Sequence, residues 1–119
     1  MLLRASGQQE NKEYDLRSVT MSDITAGVAD EAHLRALTEA TIKGDWLGLA
    51  AIRKQAETTM GIQQTIDTLI VAAAFNGITR AADATGIPLD ENTEQTTSEL
   101  RETTGIQRYE YNEKTQRYG

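Results

Sequence analysis

Residues 69–91, "LIVAAAFNGITRAADATGIPLDE", gather the apolar side chains of an otherwise polar, Thr- and Glu-rich chain and set Asn76 and Arg80 among them. Read backward from this stretch, Ile62, Ile66, Leu69, Ile70 and Ala73 recur in three- and four-residue steps and form one stripe. Val71, Ala74, Phe75 and Ile78 cover other faces. The pattern predicts a helix over 62–85, and a helix apolar nearly all round is expected to be buried, in a core or at an interface. Gly86 stops it. Pro88 then disfavours helical geometry at Ile87, so "IPLD" reads as an extended exit.

Two shorter helices precede it. In "EAHLRALTEATIKGD", Leu34, Leu37, Ala40 and Thr41 share a side, with Asp30 placed to cap the start through its carboxylate and Gly44 to end it. Asp45 caps "WLGLAAIRKQAETTM", where Trp46, Leu49, Ala50, Arg53 and Ala56 follow helical spacing and Leu47 and Ile52 widen the apolar face. Gly61 suits the left-handed position after a helix. A Gly-Asp link this short predicts an antiparallel pair. The fold class is therefore all-α: an antiparallel helical hairpin plus a long apolar helix.

Outside these elements the pattern weakens. Residues 1–20 read as a flexible N-terminal arm with an ordered patch near Tyr14 and Leu16, and Ser22 and Asp23 are placed to cap a short helical turn. Residues 21–90 form the expected helical domain. Residues 91–119 read as an acidic loop, a weak helix over about 97–104 anchored by Leu100, and a polar tail with three Tyr. No strand pattern and no internal repeat is present.

Composition narrows the function classes. Of 119 residues, 12 are Lys or Arg and 18 are Asp or Glu, a formal net charge of -6. Nucleic-acid affinity comes mainly from Lys and Arg displacing counterions, and the basic residues here are scattered, so no nucleic-acid partner is expected. No apolar run approaches the roughly 20 residues that cross a bilayer, and "MLLRASGQQENKEYD" turns polar too early for a signal peptide; no membrane partner and a cytoplasmic location follow as expectations. The absence of cysteine excludes disulfides, Cys-ligated metals and a thiol nucleophile. No metal and no cofactor is expected. A foldable part of about 60 to 75 residues is marginal alone, which favours association.

"TIDTLIVAAAFNGITRAADATGIPLDE" resembles the C-terminal long helix of the alkylhydroperoxidase D-like, or carboxymuconolactone decarboxylase, superfamily, with its Asn-x-x-x-Arg element and its Ala-x-x-Gly-[Ile/Val]-x-Leu exit. The upstream "HLRALTEATIKGDWLGLAAIRKQAETTMGIQQTID" is similar to the two preceding helices. The likeness covers about Asp30 to Asp90. It implies an all-helical fold that forms dimers, trimers or hexamers. In the peroxidase branch a more N-terminal helix carries Glu, Cys-x-x-Cys and His. This chain has no such set, and its first 28 residues are short for the helices that normally precede the match. The resemblance therefore implies a split half, a truncation or a divergent member, working as a homo-oligomer or beside a cysteine-bearing partner subunit, and carries no catalytic residue across.

Two site readings remain. Asn76 and Arg80, four apart, share a helix face. As a structural polar pair, Arg80 would meet Asp83 or a carbonyl while Asn76 satisfies nearby backbone; as a binding pair, Arg80 would hold a substrate carboxylate. The lone His33, beside Glu31 and Arg35, reads as a surface residue without a Ser or Cys to activate. The competing enzyme reading, a carboxymuconolactone decarboxylase-like reaction on a small acidic substrate without a redox thiol, needs His33 as proton carrier and Arg80 as anchor in one cleft. The interface or core set is Ile66, Leu69, Ile70, Ala73 and Phe75. Met21, Met60 and Trp46 read as core or interface fillers. "DENTE" lacks the spacing of a calcium loop.

Overall fold

The computed structural model describes residues 7–87 and 90–109. The first six residues, the exit at Pro88 and Leu89, and the tail beyond Tyr109 lie outside them. Within the described residues the chain is helical without a strand, the all-α class expected. Contacts gather the chain into two units: Asp30–Thr85, and the residues flanking it on both sides.

The central unit holds α1 (Glu31–Lys43), α2 (Trp46–Met60) and α3 (Ile62–Thr85), each packed against the other two. Gly44 closes α1 in the left-handed region at φ 69°, where a side chain would be strained. The Asp45 amide donates to the Ala40 carbonyl at 3.0 Å, and the Asp45 carboxylate accepts from the Gly48 amide at 3.0 Å, capping α2. Gly61 joins α2 to α3 with φ 90° and ψ 159°, an extended conformation open essentially to glycine rather than the left-handed helical one expected. Its carbonyl accepts from both the amide and the hydroxyl of Thr65, at 3.2 and 2.9 Å. Asp30 sits at the start of α1, but its φ of 56° leaves it without a side-chain cap; its carbonyl takes the His33 amide at 2.9 Å instead.

The interior of this unit is built from small residues. Leu37, Ala40, Ala56, Thr65 and Ala72 are the buried set, with Leu34, Thr41 and Leu49 half-buried around them. Alanine and threonine at the contacts let helix axes approach closely. The long helix contributes only Thr65 and Ala72 to the buried set, so its expected stripe is not the core of the chain. Trp46, expected as a filler, is exposed, while Met21 and Met60 are half-buried.

In the flanking unit, residues 7–10 are helical and a 3-10 helix spans Leu16–Val19. The cap of that turn is Asp15, whose carboxylate accepts from the Arg17 amide at 3.0 Å; no helical element starts at Ser22 and Asp23 as the sequence reading expected. The segment expected to be an acidic loop begins instead with α4 (Glu91–Thr96), followed by α5 (Ser98–Thr104) and a 3-10 turn, Ile106–Tyr109. Asp90 makes α4 possible by accepting from the Thr93 amide at 2.9 Å and the Thr93 hydroxyl at 2.6 Å. The Thr20 hydroxyl donates to the Thr104 carbonyl and joins the two arms of this unit. Arg101 reaches back from α5 to the Glu94 carbonyl at 2.8 Å. Ser18, Ala26, Thr97 and Thr104 are its buried side chains.

Candidate functional site

The outer side of α3 is the most unusual surface of the central unit. Ile62, Ile66, Ile70, Val71, Phe75 and Ile78 are all exposed, from 45% at Ile66 to 67% at Ile78. Thr65 and Ala72 define the inward side, and Leu69 and Asn76 lie half-buried beside it. Between Thr68 and Thr79 the helix carries no ionisable side chain. Of the sequence-derived set, Leu69 is half-buried while Ile66, Ile70, Ala73 and Phe75 face water. At the start of α2, Trp46 and Leu47 are also exposed, Leu47 at 90%. So many large apolar side chains exposed along one helix are uncommon on the surface of a monomeric soluble protein.

The polar residues of α3 do less than the sequence spacing allows. Arg80 is exposed and its Nη1 lies 3.6 Å from Asp83 Oδ2, the partner that the structural reading proposed. Asn76 is half-buried. His33, in the first turn of α1, is half-buried next to the Glu31–Arg35 ion pair of 3.2 Å. Among the described residues no group of three or more His, Cys, Asp or Glu side chains is arranged to hold a metal ion. No helix among them is long and apolar enough to cross a membrane.

The flanking unit contains an open groove of about 670 Å³ between residues 7–17 and α5, lined in part by Tyr14, Leu16, Arg17, Glu99, Leu100 and Thr103. Its charges are partly spent on neighbours. Arg17 forks onto Asp15, with Nε 3.0 Å from Oδ1 and Nη2 2.6 Å from Oδ2. That hydrogen bonding holds the Asp15 carboxyl below the usual aspartate range and raises Arg17. The Lys12 ammonium is raised by its 3.0 Å hydrogen bond to Glu10. The sequence pattern pointed to Tyr14, Leu16 and Leu100 separately, because no local period links residues so far apart in the chain.

Comparison with protein-family models, with curated proteins and with solved structures finds no match to this chain.

Proposed function

We propose that the chain is a helical assembly module without thiol chemistry, whose central unit associates with a second copy through the outer side of α3. The observation that carries this reading is the exposure of Ile62, Ile66, Ile70, Val71, Phe75 and Ile78 on one helix. Burying such side chains is worth roughly 1.5–3 kcal/mol each when complete. A unit whose own interior is Leu37 with alanines and threonines has little other apolar surface to bury. The reading includes the resemblance: a helical hairpin followed by a long apolar helix, of the alkylhydroperoxidase D-like or carboxymuconolactone decarboxylase kind, acting by assembly rather than by catalysis of its own.

Light scattering or sedimentation of the chain over a concentration series tests it, with Phe75→Asp beside it. The chain is expected to have the mass of two or more copies and Phe75→Asp that of one, with the helical signal retained because Phe75 is exposed within the chain. A mass of one copy at every concentration contradicts the proposal and turns the search to a cysteine-bearing partner. Leu69→Asp is a less clean probe, since half-buried Leu69 also bears on the fold.

A further inference from the structure

The chain has four asparagines, and only Asn76 is followed by glycine; Lys12, Thr93 and Glu113 follow the others. The backbone nitrogen after an asparagine can close a ring on that residue's Cγ, and a following residue without a side chain obstructs the closure least. Asn76 and Gly77 are therefore the pair in this chain most open to that reaction. Helical geometry opposes it, because in α3 the Gly77 amide belongs to the hydrogen-bond ladder. Reaction depends on how firmly this part of the helix is held.

It is held weakly by its own unit. Gly61 is the only residue between α2 and α3, so equal counts back along α2 and on along α3 set Trp46, the first residue of α2, level with Asn76. Helix α1 ends at Lys43, at the same level. Residues 77–85 thus run on past the ends of both neighbours. Beyond Ala72 the long helix has no buried residue. Gly77 adds the lowest helix propensity short of proline, and no positive φ requires it there. A segment with so few buried contacts opens locally at a lower cost than the unit as a whole.

We infer that Asn76 and Gly77 form a self-modification site, at which the chain converts its own asparagine to aspartate and isoaspartate when residues 77–85 open. Ring closure makes a bond between the Gly77 nitrogen and Asn76 Cγ and breaks the bond from Cγ to Nδ2. The Gly77 amide proton leaves with Nδ2 as ammonia. Water then opens the imide: cleavage at Cγ gives aspartate, and cleavage at the main-chain carbonyl gives isoaspartate, with the chain running on through Cγ. A Cβ built on Gly77 meets nothing within 4 Å, so ring and water both have room. The reaction needs no second copy.

The two products act differently on α3. Aspartate at position 76 places an acid four residues before Arg80, the favourable order for a helical pair, and competes for a guanidinium that Asp83 holds at 3.6 Å. Isoaspartate inserts a methylene into the main chain, which breaks the ladder and ends the helix near Phe75. One reaction thereby yields a population with α3 whole and another with it shortened. Both carry a new carboxylate in the stretch from Thr68 to Thr79, which otherwise has no ionisable side chain.

Incubating the full chain in mildly alkaline buffer tests this, with peptide mass mapping and enzymatic methylation of isoaspartate as readouts and the urea-unfolded chain beside it. In the folded chain Asn76 is expected to convert at least tenfold faster than Asn11 or Asn92, with ammonia released in step. The rate should rise with pH as the Gly77 nitrogen loses its proton. Amides of residues 77–85 are expected to exchange hydrogen faster than those near Thr65 and Ala72. Thr79→Ala, at an exposed position, is expected to slow conversion and exchange together by about two- to threefold through its higher helix propensity. An Asn76 that stays intact in the folded chain and converts in urea shows α3 closed and overturns the site. One intact in both overturns the chemistry as well. Uniform exchange along α3, or conversion indifferent to Thr79→Ala, overturns the local opening.

Discussion

Arg80 and Asp83 stand one turn apart on α3 with 3.6 Å between Nη1 and Oδ2, and the arginine side chain remains 67% exposed. The guanidinium is thus held loosely by its own helix rather than locked in a core. Arg80→Gln is expected to change stability by no more than about 0.5 kcal/mol, the range of exposed helical ion pairs. Urea denaturation followed by helical signal checks this, and a loss several times larger would show that Arg80 supports more than its local partner.

Leu37 is fully buried between α1 and its neighbours, while Leu47, at the start of α2, is almost wholly exposed. Leu37→Ala should cost about 2–5 kcal/mol through lost burial and the cavity left behind. In so small a unit that is enough to leave much of it unfolded at room temperature. Leu47→Ala should stay within about 0.5 kcal/mol. Thermal melts at low protein concentration separate the two.

Ala56 is also fully buried, where α2 meets its neighbours, and Ala51 on the same helix is exposed. Ala56→Leu is expected to destabilise by about 1–3 kcal/mol, because the close helix approach leaves no room for the added methylenes. Ala51→Leu should be near neutral. Equal effects in the two variants would contradict the tight small-residue interior described for this unit.

Asp90 caps α4, and the Thr93 hydroxyl and amide hold its carboxyl below the usual aspartate range. A carboxyl lowered by folding stabilises the capped state fully above its unfolded value and loses that contribution as pH falls through the folded one. The cap should accordingly persist through neutral pH and weaken only below about pH 4. The Thr93 amide shift and its hydrogen exchange, followed against pH, report this directly. Asp90→Asn should remove the acid-side dependence.

The helix boundaries of the central unit were legible because glycine and aspartate mark them chemically: Gly44 closes α1, Asp45 opens α2 and Gly86 follows α3. Which side of α3 turns inward was not legible. Periodicity finds a face by contrast, and a helix apolar on every side offers none, so Thr65 and Ala72 took the interior while the isoleucines stayed outside. Helix α4 was hidden for the opposite reason, since "ENTEQT" has no apolar stripe and its one signal is the capping aspartate before it. Asp30 shows the limit of capping rules. Its residue type and position fit a cap, but its backbone is left-handed at φ 56° and its side chain makes no capping hydrogen bond.

The links of the central unit are two residues between α1 and α2 and one residue, Gly61, between α2 and α3. Links so short make chain closure inexpensive in entropy, and local helical topologies fold in microseconds to milliseconds. In the assembly proposed above, the meeting of two copies is second-order and slower when protein is scarce. On that reading a newly made chain finishes folding with the isoleucines of α3 still wetted, for an interval set by how many copies surround it.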